Sequence, residues 1–120
     1  MPPKVKIVGG VRTLPADLEL IDSNQVTVSS TVLPITSFFA DIVGKIDEVE
    51  MVSFQVESGG GVRVNSLKPL TAGGTEGSKK LQAGDEWDVT GKHDILQHEV
   101  VRATGGSDAT VNCWLFKKES

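Results

Sequence analysis

Val52-Ser53-Phe54-Gln55-Val56-Glu57 alternates apolar and polar side chains with a period of two. In an extended chain successive side chains point to opposite faces, so this pattern makes one buried and one wet face: a β-strand. Just upstream, Val49 and Met51 carry apolar side chains on the opposite phase. The start of the strand is therefore either buried on both faces or bulged. Downstream, Ser58-Gly59-Gly60-Gly61 supplies residues free to take positive φ, and Val62-Arg63-Val64 resumes the alternation. A hairpin is predicted here.

Towards the C-terminus the same reading repeats. Trp87 and Val89 alternate with Glu86, Asp88 and Thr90, which predicts another half-buried strand. A turn at Gly91-Lys92 precedes the run 95–103, and Gly105-Gly106-Ser107-Asp108 turns the chain into 109–116. These last two runs read as a hairpin, with a polar tail from Lys117 to Ser120. Between the strands, residues 66–80 lack periodicity and carry Pro69, Gly73, Gly74 and Gly77, so they read as a surface loop.

Towards the N-terminus, Val26, Val28, Val32 and Leu33 sit among Thr and Ser residues as a half-exposed strand that Pro34 ends. Residues 35–43 admit two readings: a short helix capped by Thr36 or Ser37 and stopped by Gly44, or a strand with a bulge. Residues 1–22 are broken by Gly9-Gly10 and Pro15 and read as an extended arm anchored by Val5, Ile7, Val8, Leu14, Leu18, Leu20 and Ile21. Such an arm gains most along a sheet edge or on a neighbouring subunit.

Seven or eight short strands with Gly-rich turns predict an all-β fold: an antiparallel β-sandwich or jelly-roll-like single domain over residues 23–120, with the extended N-terminal arm 1–22 before it. The expected inner faces include Val52, Phe54, Val56, Trp87, Val89, Val111, Cys113 and Leu115. A chain of 120 residues is one domain, long enough to bury roughly two thirds of its unfolded surface without metal or disulfide staples.

No apolar run approaches the ~18 residues of a membrane helix, and the start lacks the apolar block of a signal peptide, so a soluble cytoplasmic product is expected. Cys113 is the sole cysteine, which excludes an intrachain disulfide and a Cys-x-x-Cys metal knuckle; its place in an alternating strand predicts a buried structural thiol. Residues 1–60 hold four basic and eight acidic side chains and residues 61–120 hold eight of each, so there is no basic stripe for nucleic acid. Lys79-Lys80 and Lys117-Lys118 read as solvated loop and tail charges.

The candidate chemical motifs fail on spacing. Gly73-Gly74-Thr75-Glu76-Gly77-Ser78-Lys79-Lys80 has three residues between its outer glycines where a phosphate loop needs four, with Ser before Lys and a carboxylate in between. His93 and His98, five apart, fall on opposite faces of a strand and off the i, i+4 spacing of a helical metal pair. Asp85, Glu86 and Asp88 lack the order of a calcium loop and read as a solvated strand face. No Gly-x-Ser-x-Gly elbow occurs, and with no tyrosine and two tryptophans the chain is poor in sugar platforms. No catalytic, cofactor-binding or metal residue is assigned, and neither enzymatic activity nor a cofactor is expected. Trp87 and Trp114 both read as core or interface residues.

A strand ending in a polar turn, the short strand 61–65, Lys68-Pro69-Leu70, Leu81-Gln82-Ala83-Gly84-Asp85-Glu86-Trp87, and a final hairpin closing on Ser107-Asp108-Ala109-Thr110-Val111 follow one another in order. This order, over roughly the last seventy residues, resembles small β-sandwich structural proteins of tailed-phage virions. The insertion 71–80 and the acidic start depart from that pattern. The resemblance implies a non-enzymatic virion structural protein: a capsid decoration, neck or fibre-associated component that stabilises the particle, made and assembled in the host cytoplasm. It also implies a homo-oligomer, with a trimer favoured, in contact with other virion proteins such as the major capsid protein, and no nucleic-acid or membrane partner. The alternative is a small carbohydrate- or receptor-binding β-domain. An exposed tryptophan favours that alternative, and buried tryptophans favour the structural role.

Overall fold

The computed structural model describes residues 4–7, 10–13, 18–65, 79–103 and 106–118, with side chains within 18–65, 80–103 and 106–118. The chain runs β1 (Lys4–Ile7), β2 (Gly10–Thr13), β3 (Leu18–Val28), β4 (Leu33–Pro34), a 3-10 turn (Ile35–Ser37), α1 (Ile42–Lys45), β5 (Val49–Ser58), β6 (Val62–Val64), β7 (Lys79–Leu81), β8 (Glu86–Thr90), α2 (Lys92–Gln97), β9 (Glu99–Arg102) and β10 (Ala109–Lys118). Eight of these strands form two antiparallel four-stranded sheets, in the orders β3-β10-β5-β8 and β4-β9-β6-β7. The two sheets pack as the predicted sandwich. β1 and β2 pair only with each other among the described residues, in a separate two-stranded ladder.

The core lies between the sheets. Val28, Val52, Phe54, Val56, Val111, Cys113 and Leu115 from one sheet meet Val62, Val64, Leu81 and Val100 from the other, with Trp87 and Val89 packed against them. All eight expected inner-face residues are therefore on the core side. Fully burying each large apolar side chain contributes about 1.5–3 kcal/mol. The connections supply Ile35, Phe38, Phe39, Ile42 and Ile95, which fill the space the sheets leave open.

Central strand β10 is buried from Val111 to Phe116 on both faces. Its outward-facing Trp114 and Phe116 join Leu18 and Met51 in a second apolar cluster. The phase change in β5 has a single cause: Phe116 pairs with Met51 but Lys117 pairs with Val49, which leaves Glu50 as an extra residue. Of the two sequence readings, both hold. The bulge turns Val49 into the main core and Met51 into the outer cluster. A similar shift in β3 pairs Leu115 with Asp22 and Phe116 with Leu20, so Ile21 faces the core and Leu20 the outer cluster.

Several expectations are corrected. Gly59-Gly60-Gly61 does not close a hairpin, because β5 and β6 belong to different sheets; the glycines carry the chain across the sandwich. The run 95–103 is not one strand paired with 109–116: its first part lies in α2, and β9 joins β4 and β6 while β10 joins β3 and β5. Residues 95–97 carry one β-branched side chain, Ile95, which α2 buries against the core. The strand expected over 26–33 is two strands in two sheets, and Pro34 closes the second on a sheet edge, where a missing N–H is tolerated. For 35–43 the strand reading fails. The helical reading holds in two pieces, with Pro34 rather than Thr36 or Ser37 at the first N-cap, no side-chain cap, and Gly44 inside α1. β3 begins at Leu18, so Leu18, Leu20 and Ile21 belong to the sandwich and not to the arm. Lys79-Lys80 and Lys117-Lys118 lie in β7 and β10 rather than in a loop and a tail. Val8, Leu14 and the loop 66–78 lie outside the described residues, and of Val5 and Ile7 only the strand backbone is described.

Two turn glycines at positive φ differ in surroundings. Gly59 (φ 96°) leaves no room for a Cβ, which would run into the Asp108 carbonyl, whereas Gly84 (φ 94°) faces open space. Gly84→Ala is expected to cost only the backbone strain, about 1–2 kcal/mol, and Gly59→Ala measurably more in urea unfolding. Edge strand β3 carries its own protection: Ser23 N–H donates to Asp22 Oδ1 at 2.8 Å and Gln25 N–H to Asn24 Oδ1 at 2.9 Å. Replacing Asp22 and Asn24 by Ala releases two edge donors and is expected to produce self-association of the folded chain in size-exclusion chromatography.

Candidate functional site

Four aromatic rings from different elements converge beside β8. Phe54 of β5 meets Phe38 edge-on at 5.4 Å between centroids, lies almost parallel to Trp87 of β8 at 4.9 Å and 11°, and is 5.0 Å from His98, which follows α2. Trp87 Nε1–H donates to His98 Nε2 at 3.1 Å. His98 accepts at Nε2 and is therefore neutral, with its proton on Nδ1. Burial holds its pKa down at about 4.

A groove of about 370 Å³ opens at this point. One side is β8 with Trp87, Val89 and Thr90, and the other is α2 and its exit, with Asp94, Gln97 and His98. Asn65 fixes the exit: its Nδ2 donates to the Gln97 carbonyl at 2.7 Å and its Oδ1 accepts from Glu99 N–H at 2.8 Å. At the other end of α2, Lys92 Nζ lies 2.7 Å from Asp47 Oδ1, which ties the helix to the turn after α1. Trp87 is half-buried in the groove, whereas Trp114 is buried.

Neither the buried histidine nor the buried thiol is placed to react. His98 has its Nε2 lone pair occupied and a pKa too low for a base near neutrality. Cys113 is buried among core side chains, its Sγ donates to the Asn24 carbonyl at 3.4 Å, and burial pushes its thiol up to about 12. That is the buried structural thiol expected from its strand position, with no thiolate to attack a substrate. His93 is exposed on α2 and His98 is in the core, so they do not share a site. Asp85 Oδ2 accepts from Gln82 N–H at 2.8 Å in a turn, and Asp88 Oδ1 accepts from Ser53 Oγ at 2.6 Å. Among the described residues no group of three potential metal ligands comes together, and no described helix is long and apolar enough to cross a membrane.

Sequence reasoning assigned no residue to this groove. Gln97 was hidden because the run 95–103 reads as a strand, and Asp94 falls between that run and the turn at Gly91-Lys92; on a helix their spacing of three places them on one face. The Trp87–His98 bond joins residues of different elements, and no spacing rule reports it.

The buried imidazole sets a pH dependence. In the unfolded chain His98 takes up a proton below about 6.5, but in the folded chain only below about 4. Between these values the unfolded state binds more protons, so stability rises with pH across the window, and the contribution lost on acidification is about 3 kcal/mol. His98→Gln keeps an acceptor for the Trp87 N–H but does not titrate; urea unfolding from pH 4 to 6.5 is expected to show a shallower slope for this variant than for the parent chain. In comparisons with protein-family models, curated proteins and solved structures, the chain matches none.

Proposed function

We propose that this chain is a non-enzymatic structural component of a tailed-phage particle, an accessory protein such as a capsid decoration protein that stabilises the assembly. It acts as a homo-oligomer, with a trimer favoured, and docks on other virion proteins such as the major capsid protein after synthesis in the host cytoplasm. The sequence resemblance gives the class of particle. The observation that carries the reading is the separate ladder of β1 and β2, which pairs with neither sheet of the sandwich among the described residues. A lone two-stranded ribbon is marginal in water, so it gains stability by lying on a second surface. A rigid sandwich with a ribbon outside its sheets suits a subunit that clamps neighbours. The inert thiol and the neutral, hydrogen-bonded histidine are in keeping with a role that turns nothing over.

The test is the native size of the species that contains the chain. A 12.8 kDa monomer and a particle component separate on one column. The full chain is expected to elute with the particle, and deletion of residues 2–17, which leaves β3 intact, to release monomers or abolish docking. A full chain that runs only as a free monomer, or a truncated chain that assembles and docks as well as the full one, overturns the reading.

A further inference from the structure

We infer that the groove beside β8 is a saccharide site, with Trp87 as the platform for one sugar ring and Asp94 and Gln97 as its hydroxyl-binding groups. β8 ends its sheet in the order β3-β10-β5-β8, and Phe54 stands directly across from Trp87 on β5. The ring separation of 4.9 Å matches the spacing between adjacent strands, so the indole stacks straight across the ladder. One indole face is covered by Phe54, and Trp87 stays half-exposed at the edge strand, where it lines the groove. The N–H edge is fixed by His98. The platform is thus held on a face and an edge before any ligand arrives, which lowers the ordering cost of binding.

The opposite wall supplies polar groups at a useful spacing. Asp94 and Gln97 are three residues apart on α2 and share one helix face. Neither side chain enters a hydrogen bond among the described residues, and both line the groove. Gln97 can donate as well as accept, which sugar hydroxyls use, whereas an ammonium or guanidinium group has nothing to accept with. The volume of about 370 Å³ is at the lower end of small-molecule sites, enough for one or two rings and not for a long chain. The site stands independently of the assembly reading, since a particle subunit and a free domain can both carry it.

The test follows the indole N–H signals of the full chain by NMR during titration with maltose, lactose and diacetylchitobiose, with N-acetyl-arginine amide as the cationic control. Buried Trp114 is the internal reference. At least one disaccharide is expected to shift the Trp87 signal saturably and leave Trp114 in place. The double variant Asp94→Ala, Gln97→Ala keeps both rings in the fold and is expected to weaken that binding about fivefold or more. Silence of Trp87 to all three disaccharides, saturation by the arginine amide alone, or equal affinity in the double variant overturns the inference.

Discussion

β10 is the strand on which the larger sheet depends. It pairs with β3 on one side and β5 on the other, and its side chains from Val111 to Phe116 are buried on both faces. Without it β3 and β5 have no common ladder, and the core loses Val111, Cys113 and Leu115 together. Its position also sets where everything else can go. With β3 and β5 fixed beside it, β8 takes the far side of β5, which puts Trp87 across from Phe54 and creates the aromatic cluster that shapes the groove.

Much of this was readable from residue periodicity, and what was not has a common cause. Alternation reports which side of a strand is buried, so Val52, Phe54, Val56, Trp87, Val89, Val111, Cys113 and Leu115 were assigned to the core correctly. It says nothing about which strand lies alongside. The glycines 59–61 look the same whether the chain doubles back in one sheet or crosses to another; the crossing is decided by Gly59 and Gly60 packing against the backbone of 106–108, contacts distant in sequence. Likewise 95–103 is apolar enough for a strand, yet its first part lies in α2, which buries Ile95 against the core. The groove inherits that difficulty. Trp87 was visible as a strand residue, but its hydrogen bond to His98 and the shared helical face of Asp94 and Gln97 exist only once α2 is a helix.

The polar residues that are buried outright each have a hydrogen-bond partner, whereas Gln55 Oε1 and Arg102 Nε, on half-buried residues, are buried without one among the described residues. His98 accepts from an indole, and Cys113 donates to a carbonyl. Ser53 and Asn112, buried on the outer face of the sheet, bond to Asp88 and Gln25. A buried polar group left without a partner costs about 1–3 kcal/mol, so these bonds fix register and orientation as much as they add stability. The same arrangement removes reactive groups from use. A thiol held near 12 stays protonated at neutral pH, and an imidazole held near 4 is a weak base whose Nε2 lone pair is already engaged by Trp87.

The edges of the larger sheet are treated differently, and that difference constrains how copies of the chain can meet. β3 is the longest edge, yet Asp22 and Asn24 take up the N–H groups of Ser23 and Gln25, and a bulge at Ile21 breaks its regularity. An incoming strand would have to displace both side chains and follow a bent ladder, so growth by strand addition at β3 is disfavoured. An open-ended ladder of subunits would form fibres, and the guarded edge of β3 works against that route. Under the proposal of a particle subunit, the β1–β2 ribbon, which pairs with neither sheet among the described residues, is the element left to meet a neighbour.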